Sequence, residues 1–173
     1  MNSRTIKDLA EEASSAIDDL YFDGFNDLSD LQKVEWRYCH ADCDHFASAL
    51  NFVTGYPVVG IAQPRRGPMH RLVETPDGLM LDVMGPVSLD DLKTRYRAKS
   101  LKLARGGLIE SMVWGATNEE DILSCLDVMA HLSRPPFDSA EMKALIQGAR
   151  EKLNGYEVDA PTSNQSPFEK PTQ

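Results

Sequence analysis

"CDHFASALNFVTGYPVVGIA" (Cys43 to Ala62) changes its period half-way along. Up to Val53 the apolar residues Phe46, Ala47, Leu50 and Val53 recur at helical spacing and share one face. Asp42 stands where an N-cap belongs, and Gly55 where a left-handed residue ends a helix. From Tyr56 the pattern is a short apolar run with β-branched Val58, Val59 and Ile61, which predicts a buried strand. Further on, "HRLVETPDGLMLDVMG" (His70 to Gly85) reads as two strands folded back on each other at Pro76-Asp77-Gly78, a hairpin.

Outward from this centre the signals turn helical. Ile6, Leu9, Ala10, Ala13, Ile17 and Leu20 predict an amphipathic helix over Thr5 to Leu20, and the Gly- and Asp-bearing Tyr21 to Asp30 predicts a loop with aromatic anchors. Ser88 with Asp91 resembles a capping box, opening a helix to about Ala98. Leu101 to Gly115 reads as strand on either side of Gly106-Gly107. Asn118, followed by three acids, starts a helix with Ile122, Leu123, Leu126, Met129 and Ala130 on its inner stripe, ended by Pro135-Pro136. A last helix is expected from Ser139 to Asn154, stopped by Gly155. Helices, then strands with little between them, then helices predict an α+β fold. Its centre is a Cys-bearing helix packed on a small antiparallel sheet, with the helix-covered face of the sheet apolar. Residues 1–158 form one domain, 1–30 being its N-terminal helix and loop, and 159–173 are expected to be a disordered tail with almost nothing to bury.

The chain has 173 residues, 42% of them hydrophobic, enough for one domain with a real core. Its 27 acids against 18 bases give a net charge of -9, which repels nucleic acid; Arg65-Arg66 reads as a solvated turn. No apolar run matches a membrane span, and the N-terminus is amphipathic and acidic rather than signal-like. A soluble, cytoplasmic protein is expected, with no membrane and no nucleic-acid partner; the oligomeric state has no signature. Three cysteines without a framework suit a reducing compartment and leave free thiols.

"CHADCDH" (Cys39 to His45) crowds four chemistry-bearing side chains together. Cys43 falls in the first turn of the central helix, where unpaired amides and the helix dipole favour an anion and bias a thiol toward thiolate. Asp42 and Asp44 read as cap and surface residue. A thiol nucleophile needs a base, and the base an acceptor behind it. His70 opens the first hairpin strand; Asp82, twelve residues on, falls close to opposite it. Two other readings stand beside this one. Cys43 as a small buried thiol is one, which is also the reading for Cys39 and Cys125. Zinc on Cys39, Cys43, His40 or His45 and His70 is the other, but a second closely spaced ligand pair is missing from the sequence, so neither metal nor cofactor is expected. His40 and His45 read as rim residues, and His131 as complementing the carbonyl end of its helix.

A helix headed by Cys ("DCDHFASAL"), a strand, a His-led strand ("HRLVET") and an Asp-bearing return strand ("LMLDVMG") resemble the core of the papain-like and transglutaminase-like Cys-His-Asp superfamily, in a compact bacterial or phage form. The resemblance spans Ala41 to Gly85. It implies Cys43 as nucleophile, His70 as base and acid, and Asp82 as the residue that orients His70. It also implies a thiol hydrolase or acyl-transfer enzyme of protease, isopeptidase or glutamine deamidase type, acting on a protein or peptide carboxamide. The papain branch carries a Gln six residues before its cysteine. Arg37 stands there in this chain, with Gln32 further back, so Gln32, Trp36 and Arg37 are the candidates for oxyanion or substrate contact. Arg37 at that place favours the alternative: an inactive interaction module of the same fold, a phage or mobile-element protein that binds a host factor.

Overall fold

Residues 4–16, 24–64, 67–105 and 117–156 are described by a computed structural model. The end of the first helix at Leu20, Tyr21 to Asp23 of the expected loop, Arg65-Arg66, the strand expected after Gly106-Gly107, and the tail after Asp159 lie outside the described residues. Among the described residues six α-helices and a five-stranded antiparallel sheet make up an α+β fold. Among the described residues no helix is long and apolar enough to cross a membrane.

Helix α1 (Ile6–Ala16) buries Leu9, Ala10 and Ala13. Helix α2 (Asp30–His40) is absent from the expectations above, because its apolar residues are sparse: only Val34, Tyr38 and Cys39 are buried. Its start was legible, since Ser29 and Gln32 form a reciprocal capping box. Helix α3 (Cys43–Thr54) ends as expected at Gly55, with φ of 72° and its amide bonded to the Asn51 carbonyl. Asp42 occupies the N-cap position without a side-chain cap bond, because its carboxylate takes Arg37 Nε at 2.6 Å.

Strands β1 (Val58–Gln63), β2 (Gly67–Glu74), β3 (Met80–Asp82), β4 (Gly85–Val87) and β5 (Lys102–Arg105) lie in the order β4-β3-β2-β1-β5. The β2–β3 turn is the expected one, with Thr75 and Leu79 closing it and Gly78 at φ 82°. A second hairpin, β3–β4, was not expected. It turns through Val83-Met84, and Gly85 at φ 95° leaves no room for a side chain, since a Cβ there would stand 3.0 Å from the Pro135 carbonyl. Helix α4 (Leu89–Arg95) starts at Ser88, whose hydroxyl accepts the Asp91 amide, and stops short of the expected Ala98.

Helix α5 (Glu119–His131) opens with an Asn118–Asp121 capping box. Asn118→Ala is expected to lower stability by about 1 kcal/mol, read as a shift of the urea midpoint at unchanged slope. Ala130 proves exposed, while Ser124, Cys125, Asp127 and Val128 are buried beside Leu126 and Met129. The buried face is broad because α1, α3 and the last helix all press on α5, and its polar members Ser124 and Asp127 take Arg4. His131 stands in the last turn of α5 as expected, and its Nε2 also meets the Arg4 carbonyl at 2.8 Å. Helix α6 (Ala140–Tyr156) runs through Gly155 rather than stopping there, burying Met142, Ile146, Ala149 and Leu153.

Helices cover both faces of the sheet, and both are apolar. Val73, Leu81 and Val83 face the large core built with α1, α2, α3, α5 and α6, whereas Val59, Ile61, Leu72 and Met80 pack with Leu92 of α4. This alternation decides the site, because neighbouring residues on β2 and β3 point to opposite layers.

Candidate active site

His70 and Asp82 share the face of Leu72 and Met80, toward α4. The ladder pairs Val73 with Leu81 and Glu74 with Met80, so Asp82 stands level with Leu72 and contacts His70 diagonally rather than directly across. The contact is made: His70 Nε2 lies 3.0 Å from Asp82 Oδ2, with the two side chains 0% and 2% exposed.

Three donors converge on the Asp82 carboxylate. Besides His70, Arg95 Nη1 reaches Oδ2 at 2.5 Å, and the Met84 amide donates to Oδ1 at 2.8 Å across the β3–β4 turn. Burial pushes this carboxyl up, but the bond and charge of His70, the charge of Arg95 and the Met84 amide outweigh it and hold Asp82 below its ordinary range. An ionised Asp82 takes the proton on Nε2, which leaves Nδ1 of His70 as the basic nitrogen. Nδ1 is buried and has no hydrogen-bond partner among the described residues.

Arg95 carries no signal in the sequence beyond being a basic residue in the last turn of a short helix. Arg95→Gln is expected to raise the Asp82 carboxyl. A folded-state value depressed below the unfolded one contributes stability above about pH 4 and loses it as the pH falls through the folded value. The variant therefore gives up part of that contribution at neutral pH, and its melting temperature, followed from pH 7 to pH 3, is expected to break at a higher pH than in the native protein.

Cys43 begins α3 as expected, but its thiol is not the predicted thiolate. It is 6% exposed, and burial pushes it up to about 11. The backbone amides of Arg71 and of Cys43 itself hydrogen-bond the sulfur and, with the Arg71 charge, pull the other way, while Asp44 reinforces burial. Asp44 is not a surface residue; it is 6% exposed. Desolvation thus wins over the helix terminus. The sulfur rests against the β2 backbone one residue along from His70, and it does not hydrogen-bond the imidazole.

Gln32 and Arg37 are engaged elsewhere. Gln32 is exposed and its Oε1 accepts from Ser29 N and Oγ, and Arg37 bridges Asp42 and Glu12 of α1. Trp36 packs edge-on to Phe25 and stacks on His40, with centroids 5.5 and 4.8 Å apart. The structure brings none of the three to Cys43 by a described contact. His45 lies between Asp44 and Asp121, 3.9 and 3.6 Å away. Cys39 and Cys125 are buried, with thiols driven up by burial. Among the described residues no three His, Cys, Asp or Glu side chains are grouped to hold a metal ion.

No protein-family model matches the chain, and no curated protein or solved structure matches it.

Proposed function

We propose that this protein is a thiol hydrolase or acyl-transfer enzyme of papain-like arrangement, acting on a protein or peptide carboxamide, with Cys43 as nucleophile, His70 as base and acid, and Asp82 as the orienting acid. The observation that carries the reading is the fully buried His70, pinned through Nε2 by an ionised Asp82 and with Nδ1 unbonded among the described residues. Burying an imidazole against a carboxylate with its second nitrogen unsatisfied is costly for packing alone and suited to proton transfer.

The chemistry follows from these atoms. The Cys43 sulfur leaves the Arg71 amide, gives its proton to His70 Nδ1 and bonds the carbonyl carbon, whose π pair moves to oxygen. As that pair returns, the bond to the leaving nitrogen breaks and the nitrogen takes the proton from Nδ1. Water, deprotonated by His70 Nδ1, then opens the thioester, and Nδ1 returns the proton to the sulfur; an amine in place of water gives transfer.

The inactive interaction module is favoured by one observation, the neutral Cys43 thiol bonded to a backbone amide rather than to His70. Alkylation of native protein by iodoacetamide at pH 7 separates the two. The enzyme reading expects modification of Cys43 to slow roughly 10²-fold or more in His70→Gln, the scale of general-base assistance. Equal rates in the two proteins favour the module.

A further inference from the structure

Two polar atoms of this site are buried without a hydrogen-bond partner among the described residues: Nδ1 of His70 and the hydroxyl of Tyr96. Their rings touch, with centroids 5.7 Å apart and planes inclined at 43°. A buried hydroxyl without a partner is destabilising, and Phe would fill the same space without that burden. Packing therefore accounts for the ring of Tyr96 but not for its oxygen.

The backbone holds this oxygen in place. Tyr96 caps α4, its amide donating to the Leu92 carbonyl at 3.0 Å, and the following Arg97 turns the chain through a left-handed φ of 48°. The ring of Tyr96 lies on His70, whose imidazole is bonded to Asp82, itself bonded to Arg95, so Tyr96 stands beside the buried pair. Burial, reinforced by Cys39 and Asp82, raises the phenol above the ordinary tyrosine range and keeps it protonated, hence a donor.

We propose that Tyr96 is a catalytic residue whose hydroxyl donates a hydrogen bond to the carbonyl oxygen of an acyl substrate while Cys43 attacks it. The role rests on the thiol-enzyme reading above and fills the place that Gln32 and Arg37 do not. A donor already desolvated and unengaged has no bond to break when charge develops on oxygen. In the addition step both unbonded atoms gain partners: Nδ1 receives the thiol proton, and the Tyr96 O–H receives the oxygen that accepts the carbonyl π pair. On collapse the pair returns to carbon, the bond to the leaving group breaks, and Nδ1 supplies a proton where the leaving group needs one.

Two reactions of the same sulfur test this. p-Nitrophenyl acetate acylates Cys43 through a tetrahedral oxyanion and releases nitrophenolate. Iodoacetamide alkylates it by displacing iodide at a saturated carbon, where no oxyanion forms. Tyr96→Phe removes one oxygen and keeps the ring packed on His70. The variant is expected to acetylate roughly 10²-fold more slowly and to alkylate within twofold of the native rate. Unchanged acetylation overturns the proposal, and so does equal slowing of both reactions, which would make Tyr96 a prop for His70. Native protein whose two rates are both indifferent to His70→Gln would sink the thiol-enzyme reading and the role of Tyr96 with it.

Discussion

Asp82→Asn is expected to slow the acetylation of Cys43 by roughly 10²- to 10³-fold and to lower the melting temperature by only about 3 to 10 °C. The geometry says why both effects occur and how they differ. One carboxylate oxygen, Oδ2, is shared by His70 and Arg95, and the other accepts the Met84 amide. An amide in the same place has one oxygen and one NH2, so one of these donors must face another donor. The Arg95 charge selects the outcome: the amide oxygen stays at the Oδ2 position, and the NH2 faces Met84. His70 then keeps its proton on Nε2, unlike a triad in which the amide reverses the tautomer. What is lost is the negative charge opposite the imidazolium, which forms as the thiol gives up its proton, and this loss falls on the reaction. The folded state loses the Met84 bond and an ionic contact, about 1–3 kcal/mol. Because the folded-state carboxyl is held low, that stability gap is full above about pH 4 and closes as acid protonates Asp82 in the native protein. A rate unchanged by Asp82→Asn, with the melting temperature reduced, would make Asp82 a structural acid.

The sequence disclosed those parts of the fold whose local signals agree with their burial. The helix over Cys43 to Thr54, its Gly55 stop, the Pro76-Asp77-Gly78 turn and the Asn118 capping box all combine a terminator or cap with an apolar stripe. Helix α2 has the cap without the stripe, and Gly155 is a stop signal overridden by the packing of α6. The β3–β4 hairpin was hidden because a two-residue turn between three-residue strands leaves no periodicity to read. At the site, the meeting of His70 with Asp82 was legible because it depends only on register about one turn. Arg95 and Tyr96 were not, since they reach the pair from α4, the helix laid on that face of the sheet, and nothing local to α4 marks them. The state of Cys43 is not legible for a different reason: helix-end electrostatics can be read from sequence, whereas desolvation depends on what else covers the sulfur.

That desolvation sets the pH profile expected of Cys43. A thiol titrating near 11 is ionised to about one part in ten thousand at pH 7, against a few per cent for an unperturbed cysteine near 8.5. The unassisted thiolate route is therefore a few hundred times slower than for a free cysteine, before any loss from limited access. In His70→Gln this route is all that remains, and the alkylation rate is expected to climb tenfold per pH unit until it levels near 11. In the native protein His70 supplies a second route, in which the proton leaves as the carbon–sulfur bond forms, and the two profiles separate most at neutral pH and converge as hydroxide takes over. The fold itself answers to the same proton: a thiol value raised in the folded state contributes stability below about pH 9 and loses it as the pH rises toward 11. Stopped-flow alkylation over pH 6 to 9, where the fold retains this contribution, distinguishes assistance from exposure. Superimposed profiles would mean that the imidazole never meets the sulfur, and that the buried His70–Asp82 pair holds the sheet to α4 and no more.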